Sequence, residues 1–193
     1  PMATQKAILK KKKKKWMSIL STSHFNNSEI GETITSEPST LVGRNVAINL
    51  MNLTQDIKTQ NTKIVFKIKE VKNDRLMTEI VRYELVPASL RRMVHKDKEK
   101  IDDSFKAKTK DEVEVRIKPF IVTKSSANRS VLTAIRHKTR EFLTEAIKKA
   151  TYDAFMEEII RFKLQNTIKR ELSKIYPLTQ FQIRKLEKLV QRS

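Results

Sequence analysis

Between residues 123 and 130 the sequence sets Thr123, Lys124, Ser125, Ser126, Asn128, Arg129 and Ser130 within one short polar stretch. Hydroxyls, an amide and cations gathered in this way are the groups that hold a chain on phosphate and ribose. Arg136, Lys138 and Arg140 follow in a helical pattern, Arg184 and Lys185 come near the end, and Arg91 and Arg92 stand mid-chain beside His95. Arg offers a planar fork that grips two phosphate oxygens, whereas Lys offers a point charge. The densest set is the run Lys10, Lys11, Lys12, Lys13, Lys14 and Lys15, whose neutralisation by a polyanion would release counterions. Each set has a plainer reading as a solvated surface, and the 123–130 stretch as a strand-to-helix loop capped by Ser130 or Thr133.

Other chemistries lack their residues. Gly31 and Gly43 are the only glycines, too few and too far apart for a phosphate-cradling loop or a nucleophile elbow. No cysteine is present, which excludes disulfides, thiolate metal sites and Cys nucleophiles. His24, His95 and His137 are scattered, and Asp102 and Asp103 read as acids of a solvated loop, not metal ligands. The expectation is therefore a protein that is not an enzyme and needs no cofactor, metal or small-molecule substrate.

Composition names the class of partner. The 193 residues carry a net charge of +19, with a pI near 10.1, and 38% of them are hydrophobic. That apolar share supports a folded core, while so large a positive excess strains a compact free monomer by self-repulsion and points to a polyanion. Residues 1–20 carry +7, residues 21–128 +4 and residues 129–193 +8, so the two ends bind and the middle mostly folds. No apolar run approaches the roughly 18 residues of a membrane span, and the basic start lacks the apolar stretch of a secretory signal. Both readings suit a cytoplasmic protein without a membrane partner.

These groups need elements to position them. Residues 1–15 read as a disordered basic tail, and Trp16 to Leu20 as an apolar anchor that pins it, with base stacking by Trp16 as the alternative. From Ile30 to Val122 the pattern is of short strands: Ile30 and Ile34; Val46, Ile48 and Leu50; Ile64, Phe66 and Ile68; Met77, Val81, Tyr83 and Leu85. Lys72-Asn73-Asp74-Arg75 reads as a hairpin turn that sets Phe66 opposite Val81 and Ile64 opposite Tyr83. Pro87 ends the run, and Leu90, Met93 and Val94 predict a short helix near 88–95. Residues 96–110 read as a solvated loop, and Val113, Val115 and Ile117 as a further strand.

From residue 129 the chain reads as helical. A first helix runs from about 133 to 149; a second begins near Thr151 and breaks around 163–166. Thr179 and Gln182 could form a capping box for a last helix with Ile183, Leu186 and Val190 on one face. The fold class expected is α+β: a small antiparallel β-barrel over 16–128, followed by a helical C-terminal region over 129–193 packed on it.

Taken together, the sequence resembles the archaeal and eukaryotic small-subunit ribosomal protein family often called three-a, or one-e in unified naming. The pieces that carry the resemblance are Trp16 after the lysine run, Ile30-Gly31-Glu32-Thr33, Leu41-Val42-Gly43-Arg44, Asn52-Leu53-Thr54-Gln55-Asp56, Leu90-Arg91-Arg92-Met93-Val94 and Lys100-Ile101-Asp102-Asp103. Thr109-Lys110-Asp111, Ile135-Arg136, Ile175-Tyr176-Pro177-Leu178 and Ile183-Arg184-Lys185 complete them in the family's order. Glu112 stands where the family usually has Gly, and the stretch before Phe25 lacks the family's Ala-Pro. The longer C-terminal tail of eukaryotic members is missing, which suits an archaeal member. The resemblance implies a β-barrel with flanking helices on the small-subunit platform, bound to rRNA and neighbouring ribosomal proteins, with mRNA near the exit as a further contact. A free DNA-compacting protein is the alternative that the same charge would serve.

Overall fold

A computed structural model describes residues 13–189. In chain order the strands and helices are β1 (Lys15–Leu20), β2 (Glu29–Thr35), β3 (Asn45–Asn49), α1 (Leu50–Thr54), β4 (Thr62–Lys72), β5 (Arg75–Leu85), α2 (Pro87–Met93), β6 (Lys100–Asp102), β7 (Phe105–Lys108), β8 (Glu114–Thr123), α3 (Arg129–Lys149), α4 (Tyr152–Ile160), α5 (Lys163–Leu172) and β9 (Leu178–Lys188). The class is α+β. Among the described residues there are two compact units: residues 13–46 with Phe66–Glu79, and Ala47–Val65 with residues 80–189.

In the first unit β1 pairs antiparallel with β2, Trp16 opposite Ile34, and parallel with the start of β5, Ser18 opposite Arg75. Strand alternation sends Met17 and Ile19 inward, where they pack with Leu41, Ile68 and Leu76. Trp16, expected to anchor the tail, is instead 67% exposed. The anchor is made by its neighbours, because a strand presents successive side chains to opposite faces. Phe66 is fully buried, with the Phe25 ring edge-on at 6.1 Å. Asn73 and Asp74 form the expected two-residue turn between β4 and β5, both with positive φ (48° and 58°).

In the second unit β8 pairs antiparallel with β9 along nearly its whole length, with β6 and β7 on its other side, while β9 pairs with the end of β5. Residues 96–110, expected as a loop, supply β6 and β7. Few apolar residues suffice there because both strands are short and lie at an edge; Ile101 is the buried one of β6. The expected last helix is a strand, β9. The expected barrel does not close: β2 pairs only with β1, β3 only with β4, and β6 and β7 only with β8, so free edges remain among the described residues. Nor is the pairing purely antiparallel, since β1 and β5 run parallel.

Three helices complete this unit. α3 buries Ile135, Thr139, Leu143 and Ile147 at helical spacing. It begins at Arg129, earlier than the expected 133, after Asn128, whose side chain makes no capping bond. α4 and α5 are parted at Arg161 and Phe162, ahead of the expected 163–166, because Phe162 takes a left-handed conformation (φ 56°). Phe155, Ile159 and Leu172 are fully buried, and Tyr152 donates its hydroxyl to Ile80 O at 3.1 Å. No described helix is long and apolar enough to cross a membrane.

Candidate nucleic-acid interface

Register builds a charged face from strands whose sequences look unrelated. Arg82 lies opposite Glu187, Glu187 opposite Arg116 and Arg116 opposite Lys106; in the next row Glu84 lies opposite Lys185, and Lys185 opposite Lys118. The intervening positions Tyr83, Leu186 and Ile117, in register with each other and with Phe105, form the buried side. Period-two alternation thus sorts the four strands β5, β9, β8 and β7 into an apolar face and a cationic one, with five cations to two carboxylates.

Glu187 is the hub of that face. Its carboxylate lies 2.7 Å from Lys185 Nζ, 3.4 Å from Arg116 Nη1 and 3.6 Å from Arg82 Nε. Burial pushes its pKa up, but the Lys185 hydrogen bond and the charges of Lys185, Arg82 and Arg116 outweigh it and hold the carboxyl below its ordinary range. One carboxylate cannot neutralise three cations, so it orders them while leaving a positive field. Arg82, Arg116, Lys106 and Lys118 were not singled out in the sequence, since single cations at alternating strand positions look like ordinary surface until register aligns them.

The polar stretch after β8 is pinned, not loose. Thr123 is buried, its hydroxyl bonding Glu99 O, Ser125 O and Glu99 N–H. The Ser125 hydroxyl meets Tyr176 OH at 2.8 Å, and that hydroxyl donates to Ser126 O at 2.7 Å. Of the sequence candidates here, Lys124 and Arg129 remain exposed and make no ion pair among the described residues, and Arg136 on α3 joins them. Arg129 and Arg136 lie two turns apart on one helical stripe, about 10 Å along the axis.

The other candidates are partly occupied. Arg140 grips Asp103 with two nitrogens and covers the Phe105 ring at 5.8 Å. Lys138 pairs with Glu141 at 2.9 Å, and Arg92 donates to Asn61 Oδ1 at 3.3 Å. Arg184 sits in a β-bulge: Lys118 opposes Lys185 and Pro119 opposes Ile183, leaving Arg184 unpaired in the ladder. Such a bulge re-aims its side chain, here to 3.1 Å from Asp102 Oδ1. Arg91 is exposed on the last turn of α2 and shares a groove with Arg184 and Lys185. Lys13, Lys14 and Lys15 are exposed at the start of the described chain, Lys15 as the first residue of β1; Lys10, Lys11 and Lys12 lie outside the described residues.

An α+β body whose strands turn a cationic side outward is suited to a polyanion. The family comparison gives that class its particular form: the model of the Ribosomal S3Ae family matches residues 3–192, and the chain belongs to that family. It is 33% identical to the small ribosomal subunit protein eS1 of Halorubrum lacusprofundi over 185 residues, covering 96% of this chain and 86% of that one. It is 33% identical to the protein of the same name from Nanoarchaeum equitans over 183 residues, 95% and 92% of the two chains. For that of Archaeoglobus fulgidus the identity is 32% over 180 residues, 92% and 85%. Membership of a ribosomal protein family makes the role structural, not enzymatic.

Proposed function

We propose that this chain is a structural constituent of the small ribosomal subunit that binds rRNA on the platform near the mRNA exit region and so supports translation in the cytoplasm. The observation that carries the reading is the register of Arg82, Arg116, Lys106, Lys185 and Lys118 on one face of four strands whose intervening residues Tyr83, Leu186 and Ile117 are buried on the other. Lys124, Arg129 and Arg136 extend the cationic surface along the start of α3 and offer Arg forks for phosphate oxygens. Neighbouring small-subunit proteins are the further partners, together with mRNA leaving the subunit. The relatives named above carry the small subunit in their names, which supports the same assignment.

Sedimentation tests it. The tagged chain should travel with small subunits on a gradient and stay there after nuclease removes mRNA. Release with the mRNA, or equal affinity for any nucleic-acid duplex, would replace this reading with sequence-independent polyanion binding of the DNA-compacting kind.

A further inference from the structure

Arg91 on α2, Arg184 in the β9 bulge and Lys185 beside it are far apart in sequence, yet they line one groove of about 410 Å³ with Lys100 and Lys118. Sites for small ligands span roughly 300–1,000 Å³. The wall between these cations is apolar, made by Leu85, Pro87, Leu90, Val94 and Phe120. Two carboxylates complete it: Glu84 and Asp102, with side chains 34% and 33% exposed. Lys100 and Arg184 are turned toward Asp102, at 4.0 and 3.1 Å, whereas Arg91 and Lys118 make no ion pair among the described residues.

We infer that this groove takes a single unstacked nucleotide of RNA. Its base would lie against Pro87, Leu90 and Val94, its phosphate among Arg91, Lys118 and Lys185, and a base N–H would reach the Glu84 or Asp102 carboxylate. Splayed bases gripped on a side-chain surface, with their edges hydrogen bonded, are how proteins read single-stranded RNA. Three features select this occupant. A bare phosphate would leave the apolar wall unused, an acidic peptide would bring several carboxylates against Glu84 and Asp102 where one nucleotide brings a single phosphate, and an apolar peptide would desolvate Arg91 and Lys118 without pairing them. The inference rests on the rRNA-binding reading and adds to it a nucleotide-sized site whose lining includes no residue of α3.

The test is titration of the full chain, followed by its backbone amide resonances, with each of the four nucleoside 5′-monophosphates, with inorganic phosphate and with hexaglutamate. At least one nucleotide should shift amides of residues 87–94, 118–120 and 184–185 and saturate at a concentration tenfold or more below inorganic phosphate. Arg91→Glu changes an exposed, unpaired side chain, and should raise the saturating concentration at least tenfold with an unchanged melting curve. Leu90→Trp, which fills the wall, should abolish the response if its melting curve is also intact. Equal saturation by inorganic phosphate overturns the proposal in favour of a simple anion site, and tighter saturation by hexaglutamate overturns it in favour of a protein-docking groove. The same preparations are assayed on small-subunit rRNA. Retained rRNA binding with no nucleotide response removes the groove alone, whereas wild-type protein that fails to retain rRNA overturns the functional reading and the groove with it.

Discussion

Arg140 holds Asp103 by two parallel bonds, Nε to Oδ2 at 2.5 Å and Nη2 to Oδ1 at 2.7 Å, and so ties α3 to the corner between β6 and β7. Asp103 is largely buried, its side chain 11% exposed, while that of Arg140 is 46% exposed. The Arg140 hydrogen bond is the main reason the carboxyl lies below its ordinary pKa range; burial opposes it, and Ser104 N–H with the charges of Arg140 and Arg136 reinforces it. Arg140 thus belongs to the fold before it belongs to any RNA.

Arg140→Ala should therefore cost about 1 kcal/mol, the value for a charged hydrogen bond being discounted for the exposed arginine. Because the folded pKa is lowered, the contribution is fully present above the unfolded value of about 3.9 and is lost as pH falls through the folded one. Urea titrations should show a constant gap between wild type and variant from about pH 7 to pH 5, closing below about pH 4. A gap that widens in acid would refute the assignment.

Phe66→Ala removes a ring with no solvent exposure and should destabilise by about 3–5 kcal/mol. Val81 is only half-buried, so Val81→Ala should cost less, about 1 kcal/mol. Near-equal denaturant midpoints for the two variants would contradict this burial.

Glu112 adopts a left-handed backbone, φ 57°, in the turn where its N–H reaches Thr109 O at 3.0 Å. A non-glycine residue pays about 1–2 kcal/mol there, partly offset on substitution by the greater backbone freedom of glycine in the unfolded chain. Glu112→Gly should raise Tm by about 1–4 °C. Glu112→Ala, which keeps the Cβ, should give no such rise, and equal behaviour of the two would show that the turn is unstrained.

Trp16→Ala should leave Tm within about 1 °C, since the ring is 67% exposed opposite Ile34, itself 47% exposed. Beside Lys13, Lys14 and Lys15 the ring is placed to stack on an unpaired base, and its loss should weaken single-stranded RNA binding by about 1–3 kcal/mol. Unaltered binding would take Trp16 out of the interface.

What the sequence made legible followed from local rules: the Asn73-Asp74 turn, the alternation that buries Val115 and Ile117, and the helical spacing of Ile135 and Leu143. What it concealed was the last strand. β9 carries two register shifts, one passing over Thr179 and one over Arg184, so its buried residues are Leu178, Phe181, Ile183 and Leu186. Each bulge adds one residue to the period, and Ile183 with Leu186, three apart, imitate a helix face. Thr179 and Gln182 then looked like a cap. The cationic sheet face was hidden for a related reason: Arg82, Arg116 and Lys185 come from three distant strands, and register alone brings them to Glu187.

Arg129→Lys with Arg136→Lys keeps the net charge but removes two forks from the exposed stripe of α3. Incorporation into small subunits should fall while affinity for unstructured RNA stays nearly constant. Wild-type occupancy by quantitative mass spectrometry would leave only a steering role for that charge.

Ultraviolet cross-linking of intact small subunits, with mass spectrometry of the RNA-bearing peptides, tests the central claim most directly. Adducts should fall within residues 106–118, 124–136 and 182–188, where the cationic sheet face and the α3 stripe lie. Adducts confined to the surface of residues 152–172, with those three stretches unmodified, would contradict it.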